Sequence, residues 1–379
     1  MTATFALTWA AQVFLLYLGA TFVFDLMHWT LHACSRSPYR ALQSLGALHQ
    51  THHAFLDRQL KFDDRLIAQN FWRHRSGELG FQLLGASAGL LVLPLLPVLA
   101  TQAVFLGSFV VGAVLGGKDS NHREQAIIAA PLGGVFVGLP YHSLHHVYPD
   151  RYFGSVTTAF DKLFGTGCPM SGRRVVLTGA SGALGEPLKR ILEAEGATVV
   201  ALKHGIDFLG DDCSGADLQL AAADILILAH GSKVQDAMRA NCDSFVALIE
   251  RFKRLTRGRQ VPPEVWAVGS EIECHPSFGD PGLEIYSRSK RAFARHARRY
   301  FHQNDLIYRH IVPSAFTSPM GRGLISGNLA ARWAWFLIKR GYRYVPVSYT
   351  GIALVNYLKF VFRIHASPDP HPSLRRVAA

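Results

Sequence analysis

Between Glu78 and Lys118 the chain carries no charged side chain, and residues 4–27 carry a single one, Asp25. Nothing else in the sequence limits the fold so strongly. In lipid, each backbone N–H and C=O must find its partner within the segment, so runs of this length are confined to helices. Residues 4–27 predict one span. Pro94 and Pro97 interrupt the second run and predict a tight hairpin of two short spans over 79–116. A later apolar stretch, 127–140, is too short to cross and is expected at the interface or as a re-entrant piece. The first run lacks the basic leading region of a cleavable signal and reads as a retained span. A hydrophobic content of 49% agrees with this reading.

One span followed by a hairpin puts loop 28–78 and everything after 117 on the same side of the membrane. Loop 33–78 holds seven basic residues, which makes that side cytoplasmic by the positive-inside rule. The same side then receives three histidine knots: His28 and His32 in "HWTLH", His49, His52 and His53 in "HQTHH", and His142, His145 and His146 in "HSLHH". Ten of the 18 histidines precede residue 170. A single histidine there is ordinarily a hydrogen-bonded core residue. Three knots on one face are not, because residues four apart on a helix point the same way and clustered imidazoles need a cation among them. Imidazole suits iron, zinc or copper, and ionisable groups at membrane depth are costly unless functional.

The three knots, followed by "YPDRYFGSVTTAFDKLFGT", resemble the fatty acid hydroxylase/sterol desaturase superfamily over residues 15–167. The resemblance implies an all-α integral-membrane histidine-box domain over residues 1–170. It implies a dimetal centre, two iron ions with zinc possible as isolated, and O2-dependent hydroxylation or desaturation of a lipid. The ligands it implies are His28, His32, His49, His52, His53, His142, His145 and His146. His122, in "GKDSNHREQ", stands where the family places a further histidine. His74 is expected at the interface instead. The chain departs from the family in beginning almost at the first box's own helix.

After "CPMSGRR" the pattern changes. "RRVVLTGASGALGEPLKRILEAEGATVVALKHG" reads as strand, glycine turn, amphipathic helix and strand, and three further strand candidates follow. Alternating strands and helices predict a Rossmann-like, doubly wound parallel α/β sheet over residues 171–379. Thr178, Gly179, Ser181, Gly182 and Gly185 sit where a pyrophosphate would rest on a helix N-terminus. Downstream, Tyr286 and Lys290 share a helix face, so the lysine is expected to lower the phenol pKa, and Ser270 ends a preceding strand.

This half is similar to the short-chain dehydrogenases/reductases from 172 to about 360. The similarity implies that Ser270, Tyr286 and Lys290 exchange protons with an alcohol or carbonyl, with Asn241 organising the relay. Two positions depart from the family, Ala229 in "LAHG" and Ser314 in "VPSAFTSPMG". Lys203 and His204 after the second strand, in place of an acid, favour NADP(H) over NAD(H). The segment 328–364 reads as core and substrate lid, with bilayer docking as the other use of such a helix. The tail 366–379 reads as loose.

The net charge is +12 and falls mainly in the second half, yet the basic residues are scattered without a recognition motif, which argues against nucleic acid. Five dispersed cysteines without a CxxC pair point to a reducing compartment. Together these readings predict a bifunctional membrane oxidoreductase acting on a lipid. Its metal half would draw electrons from an external donor, a ferredoxin or a cytochrome b5-like protein. The alternative is a membrane-anchored reductase of a lipid aldehyde or ketone whose histidine domain does not turn over.

Overall fold

The computed structural model describes residues 3–362 apart from 132, 235, 276 and 278–280; the tail 366–379 lies outside them. The chain divides into two compact units, Met1–Cys168 and Pro169–Ala379.

The first unit is helical. Helix α1 (Ala3–Ser35) continues unbroken from the apolar run through the first histidine pair, so one rod carries both. Helix α2 (Arg40–Phe55) carries the second knot. Helices α3 (Ser76–Ser87) and α4 (Leu95–Val114) form the hairpin that the prolines predict, with Pro94 in extended conformation just before α4. Helices α1 and α3 approach closely because small residues meet: a Cβ on Gly85 would lie 2.9 Å from the Cα of Ala20. Two helices, α1 and α4, are long and apolar enough to cross a membrane. Leu7, Leu15, Leu95, Leu96, Val110 and Val114 point outward from them, uncovered by protein.

Among the described residues, 127–131 and 133–138 form no helix. Gly133, at φ +74°, and the neighbouring Pro131, Gly134 and Gly138 break any regular run, and Phe136 instead bridges to Thr157. Helix α5 (Leu139–Val147) then carries the third knot, and α6 (Ala159–Phe164) follows. Asp161 of α6 shows how the tail after the last histidines supports them. Its buried carboxylate accepts the backbone N–H groups of Phe153 (2.9 Å) and Gly154 (2.8 Å), the phenol of Tyr141 (2.7 Å) and the hydroxyl of Thr166. Tyr141 belongs to α5, so this acid fixes the histidine helix. Asp25, the lone charge of the first run, accepts from the Ser155 backbone at 3.0 Å and ties α1 to the same tail.

The second unit is a six-stranded, all-parallel sheet: β1 (Arg174–Thr178), β2 (Thr198–Leu202), β3 (Ile225–Leu228), β4 (Glu264–Val268), β5 (Ile307–Pro313) and β6 (Tyr344–Val347). Their order is β2-β1-β3-β4-β5-β6. Helices α7 (Gly185–Ala194), α8 (Ser244–Leu255), α9 (Pro281–Phe301), α10 (Gly327–Lys339) and α11 (Ile352–Phe362) cross between or flank the strands. β3 and β4 are buried at every position, as strands covered on both faces must be. The order reverses between β1 and β3, and the crevice at the carboxyl ends there is where this Rossmann-like architecture binds ligands. Of the segment 328–364, α10 buries Ala330, Ala334, Trp335 and Ile338 as core, whereas α11 buries Ala353 and Phe360 and leaves Leu354, Val355 and Leu358 exposed.

Candidate functional site

In the first unit, nine histidines fall into two groups: His28, His32, His49, His53 and His145, and His52, His122, His142 and His146. Within each group one ligand atom per residue lies within 4.8 Å of all the others. These are the nine positions expected from the sequence, and each of the last two knots supplies both groups. Helical spacing causes the split: His49 and His53, four apart on α2, share a face, while His52 is rotated away from them.

The rings converge through Nε2. His49 and His53 approach at 3.1 Å, His53 and His32 at 3.2 Å, His122 and His142 at 2.9 Å, and His142 and His146 at 3.2 Å. The opposite nitrogens are anchored. Nδ1 of His122 meets Asp119 at 2.7 Å, that of His145 the Arg151 carbonyl at 2.8 Å, that of His146 the Leu56 carbonyl at 2.8 Å, and that of His52 the Asn70 oxygen at 3.2 Å. Since each of these partners is an oxygen acceptor, Nδ1 must carry the proton, and each Nε2 turns a lone pair inward. Burial also drives the His145 imidazole down to about 3 and lowers His52 and His146, so the rings are neutral, the form that ligates metals.

Lone pairs crowded together without a cation repel. Both nitrogens of His28 and Nε2 of His145 are buried with no hydrogen-bond partner, a costly state that a bound cation relieves. The donor set fits two transition-metal ions. Arg75 adds a support: its guanidinium donates to Asp119 at 2.9 Å behind His122. His74, expected at an interface, is buried between His49 and His52; a π-helical turn over Phe71–Arg75 carries it inward. Asn70 and Asp119 also escaped the sequence reading. Asp119 had a detectable signal, three residues before His122; Asn70 had none.

In the second unit, Ser270 ends the loop after β4 and lies within hydrogen-bonding reach of the Tyr286 phenol. Lys290 Nζ sits 5.9 Å from the Tyr286 ring centre and donates to the Val268 carbonyl at 2.8 Å. The expected drop in the phenol pKa is not realised. Burial raises Tyr286, Ser270 opposes that rise, and the nearby Glu273 adds to it. Lys290 itself is pushed down to about 8 by burial, so its charge is costly where it stands. Asn241 lies in a π-helical turn (Arg239–Asp243) and is fully buried. Its amide donates to the Ser232 carbonyl at 2.7 Å and to Ser289 at 2.9 Å, joining the loop after β3 to the residue beside Lys290. Glu273 and His310, both buried and 2.8 Å apart, underlie this corner and were not singled out from the sequence. Lys233, also missed, lies 5.4 Å from the Tyr286 ring centre.

The glycine turn is as tight as the sequence requires. Gly179 has φ +68°, and a Cβ there would meet the Ala229 carbonyl at 2.7 Å; one on Gly185 would lie 2.0 Å from the Gly179 oxygen. Thr178 faces inward: it accepts from the Ala229 N–H at 3.2 Å and pairs with His230 at 2.7 Å, which makes it a fastener between β1 and β3. Beside the turn a cavity of about 320 Å³ is lined by Gly179, Ser181, Lys203, His204, Phe208 and His230, among others. A dinucleotide's phosphates fit this cradle, with Lys203 and His204 at its edge.

No family model matches the chain. It is 25% identical over 303 aligned residues to the monoglucosyldiacylglycerol epimerase of Synechocystis sp. (strain ATCC 27184 / PCC 6803 / Kazusa), covering 70% of this chain and 73% of that protein. That share is more than either compact unit contains, so the similarity runs into both. Among solved structures, a short chain dehydrogenase from Burkholderia cenocepacia J2315 in complex with NADP is 16% identical, with a TM-score of 0.44, covering 51% of this chain and 95% of that one. A short-chain dehydrogenase from Sphingobium yanoikuyae in complex with NADPH is 14% identical, with a TM-score of 0.40, covering 52% of this chain and all of that one.

Proposed function

We propose that the protein is a membrane-bound, bifunctional oxidoreductase that modifies a lipid, with a dimetal centre in residues 1–170 and an NADP(H)-dependent alcohol/carbonyl site in 171–379. The observation that carries this reading is the convergence of nine imidazoles in two groups, with the outer nitrogens of His52, His122, His145 and His146 anchored on oxygen acceptors. A pair of irons held there supplies oxygen activation for hydroxylation or desaturation, with electrons from a ferredoxin or a cytochrome b5-like donor. His28, His32, His49, His53 and His145 hold one metal; His52, His122, His142 and His146 hold the other. The apolar faces of α1 and α4 support membrane insertion, with both sites cytoplasmic.

At the second site NADP(H) accepts or returns hydride. Ser270 positions the substrate oxygen, Tyr286 takes up or gives back its proton, and Lys290, held in place beneath by Val268, lowers the cost of the phenolate once substrate excludes water. Asn241 keeps the Ser232 loop and Ser289 in register around them. Lys203 and His204 favour the extra phosphate of NADP(H).

A second reading is favoured by the similarity across both units to an epimerase of a glycolipid. A sugar carbinol is inverted without net oxidation when its C–H hydride passes to NADP+ and returns from NADPH to the opposite face of the resulting ketone, while Tyr286 takes the hydroxyl proton and gives it back to the same oxygen. The test uses protein purified in mild detergent without chelators. Metal per chain is measured, and monoglucosyldiacylglycerol is then supplied with NADP(H), with and without O2 and a reduced ferredoxin. O2-dependent oxidised lipid supports the first reading. O2-independent formation of an epimeric headgroup supports the second, and lipid recovered unchanged beside metal-free protein refutes both.

A further inference from the structure

Four of the metal-facing histidines place Nδ1 against an oxygen acceptor; among the described residues His49 instead meets another imidazole. Its Nδ1 lies 3.1 Å from Nδ1 of His74. His49 turns Nε2 toward the cage, so its proton sits on Nδ1 and is donated to the His74 Nδ1 lone pair. That leaves the His74 proton on Nε2, which points at the Glu78 carboxylate 3.9 Å away, one helical turn on. Glu78 is held in turn by the Gln82 amide at 3.1 Å. The His74 ring also stacks on His52, of the other group, at 4.0 Å and 19°. Just before it, Asn70 anchors His52. One short segment, 70–74, therefore reaches a histidine of each group, and its π-helical turn brings His74 inward where an α-helix would place it differently.

Resting on the dimetal reading, we infer that His74 is a positioning residue for the metal centre: it orients His49 through Nδ1 and sets the Glu78 carboxylate near that ligand. The cage thus anchors His49 on a second imidazole, with the Glu78 carboxylate 3.9 Å beyond it, where its other anchored ligands use a single oxygen. Removing such an outer partner costs a metal site about 10- to 100-fold in affinity.

The test separates the ring from its acceptor. His74→Phe keeps a ring against His52 and has no acceptor for His49; His74→Asn offers an amide oxygen in its place. Full-length protein in detergent is loaded with iron, and metal per chain, the rate of iron loss to a chelator and the metal-dependent absorption spectrum are recorded. The expected result is that His74→Phe loses one of two irons about 10- to 100-fold faster, with a changed spectrum, while His74→Asn largely restores both. Glu78→Gln, which leaves the His74–His49 contact in place, gives a smaller change in the same direction. The inference is overturned if His74→Phe retains both irons with wild-type chelator resistance and spectrum, or if the Phe and Asn variants lose metal equally. Wild-type protein that holds no metal under these conditions removes the dimetal reading itself.

Discussion

The two units solve the same problem, holding reactive groups in place, by opposite means. The helical unit builds its site from side chains: nine imidazoles on regular helices and loops, five of them fixed by a partner at the outer nitrogen. The sheet unit builds its site from backbone: strands ending together at a reversal of order, a turn that only glycine fits, and three side chains set on that frame. Losing one outer partner in the cage loosens one ligand among several. On the proposed reading, losing Tyr286 would take away the group that exchanges the proton. The sites should therefore fail independently and by different amounts.

The largest effect expected is that of Tyr286→Phe. Alcohol/carbonyl exchange should fall about 10²- to 10⁴-fold, the range for loss of a general acid/base, while metal per chain stays at the wild-type value. Product turnover and metal content measured on the same preparation check this. A fall in both would mean that the two units are not independent.

Lys290 gives the next effect and a pH signature. Its folded value of about 8 lies below the ordinary lysine value of about 10.5. Between these the unfolded chain binds more protons than the folded one, so stability is lowest below pH 8 and rises up to about pH 10.5. The gain is on the order of 3 kcal/mol at most. Thermal midpoints of the NADP(H)-free protein from pH 7 to 10 should rise for wild type relative to Lys290→Met. Parallel profiles would show that the lysine's charge is not strained by its burial.

How far the sequence revealed each site follows from the same contrast. The nine histidines were legible because ligation needs one residue type at helical spacing, and spacing survives in one dimension. His74 was misjudged because a π-helical turn shifts the face of everything after it, and no composition or period announces such a turn. Asn70 was invisible: it acts by distance alone, 18 residues from His52. In the sheet unit, the glycine turn, the parallel alternation of strands and helices and the Tyr286–Lys290 pair were legible for the same reason of spacing. The direction of the Tyr286 shift was not, since it depends on how water is excluded, and Lys290 proved to be engaged with Val268.

A smaller effect sharpens the account of the cage. Asp119→Ala removes the acceptor of His122 and the partner of Arg75 together. Metal affinity should fall about 10- to 100-fold, with NADPH binding unchanged. Asp119→Asn, which keeps an oxygen for His122, should fall less. Chelator competition measures both, and equal losses would mean that charge matters here more than orientation.

The smallest effect expected concerns cofactor choice, and it tests whether a backbone-built site can be tuned by one exposed side chain. Lys203 ends the segment after β2 and lines the cavity beside Gly179 and Ser181. Its backbone N–H is held by Asp207 at 2.7 Å, so the residue's position is fixed while its side chain reaches solvent. A charge-assisted contact of this exposed kind contributes about 1–1.5 kcal/mol, close to tenfold in affinity. Lys203→Ala should weaken NADPH about tenfold and leave NADH nearly unchanged, and added salt should shrink the difference. Fluorescence titration with both nucleotides at low and moderate ionic strength measures this. If both weaken equally, Lys203 supports the turn and does not read the extra phosphate, and the preference would have to come from His204 at the same edge.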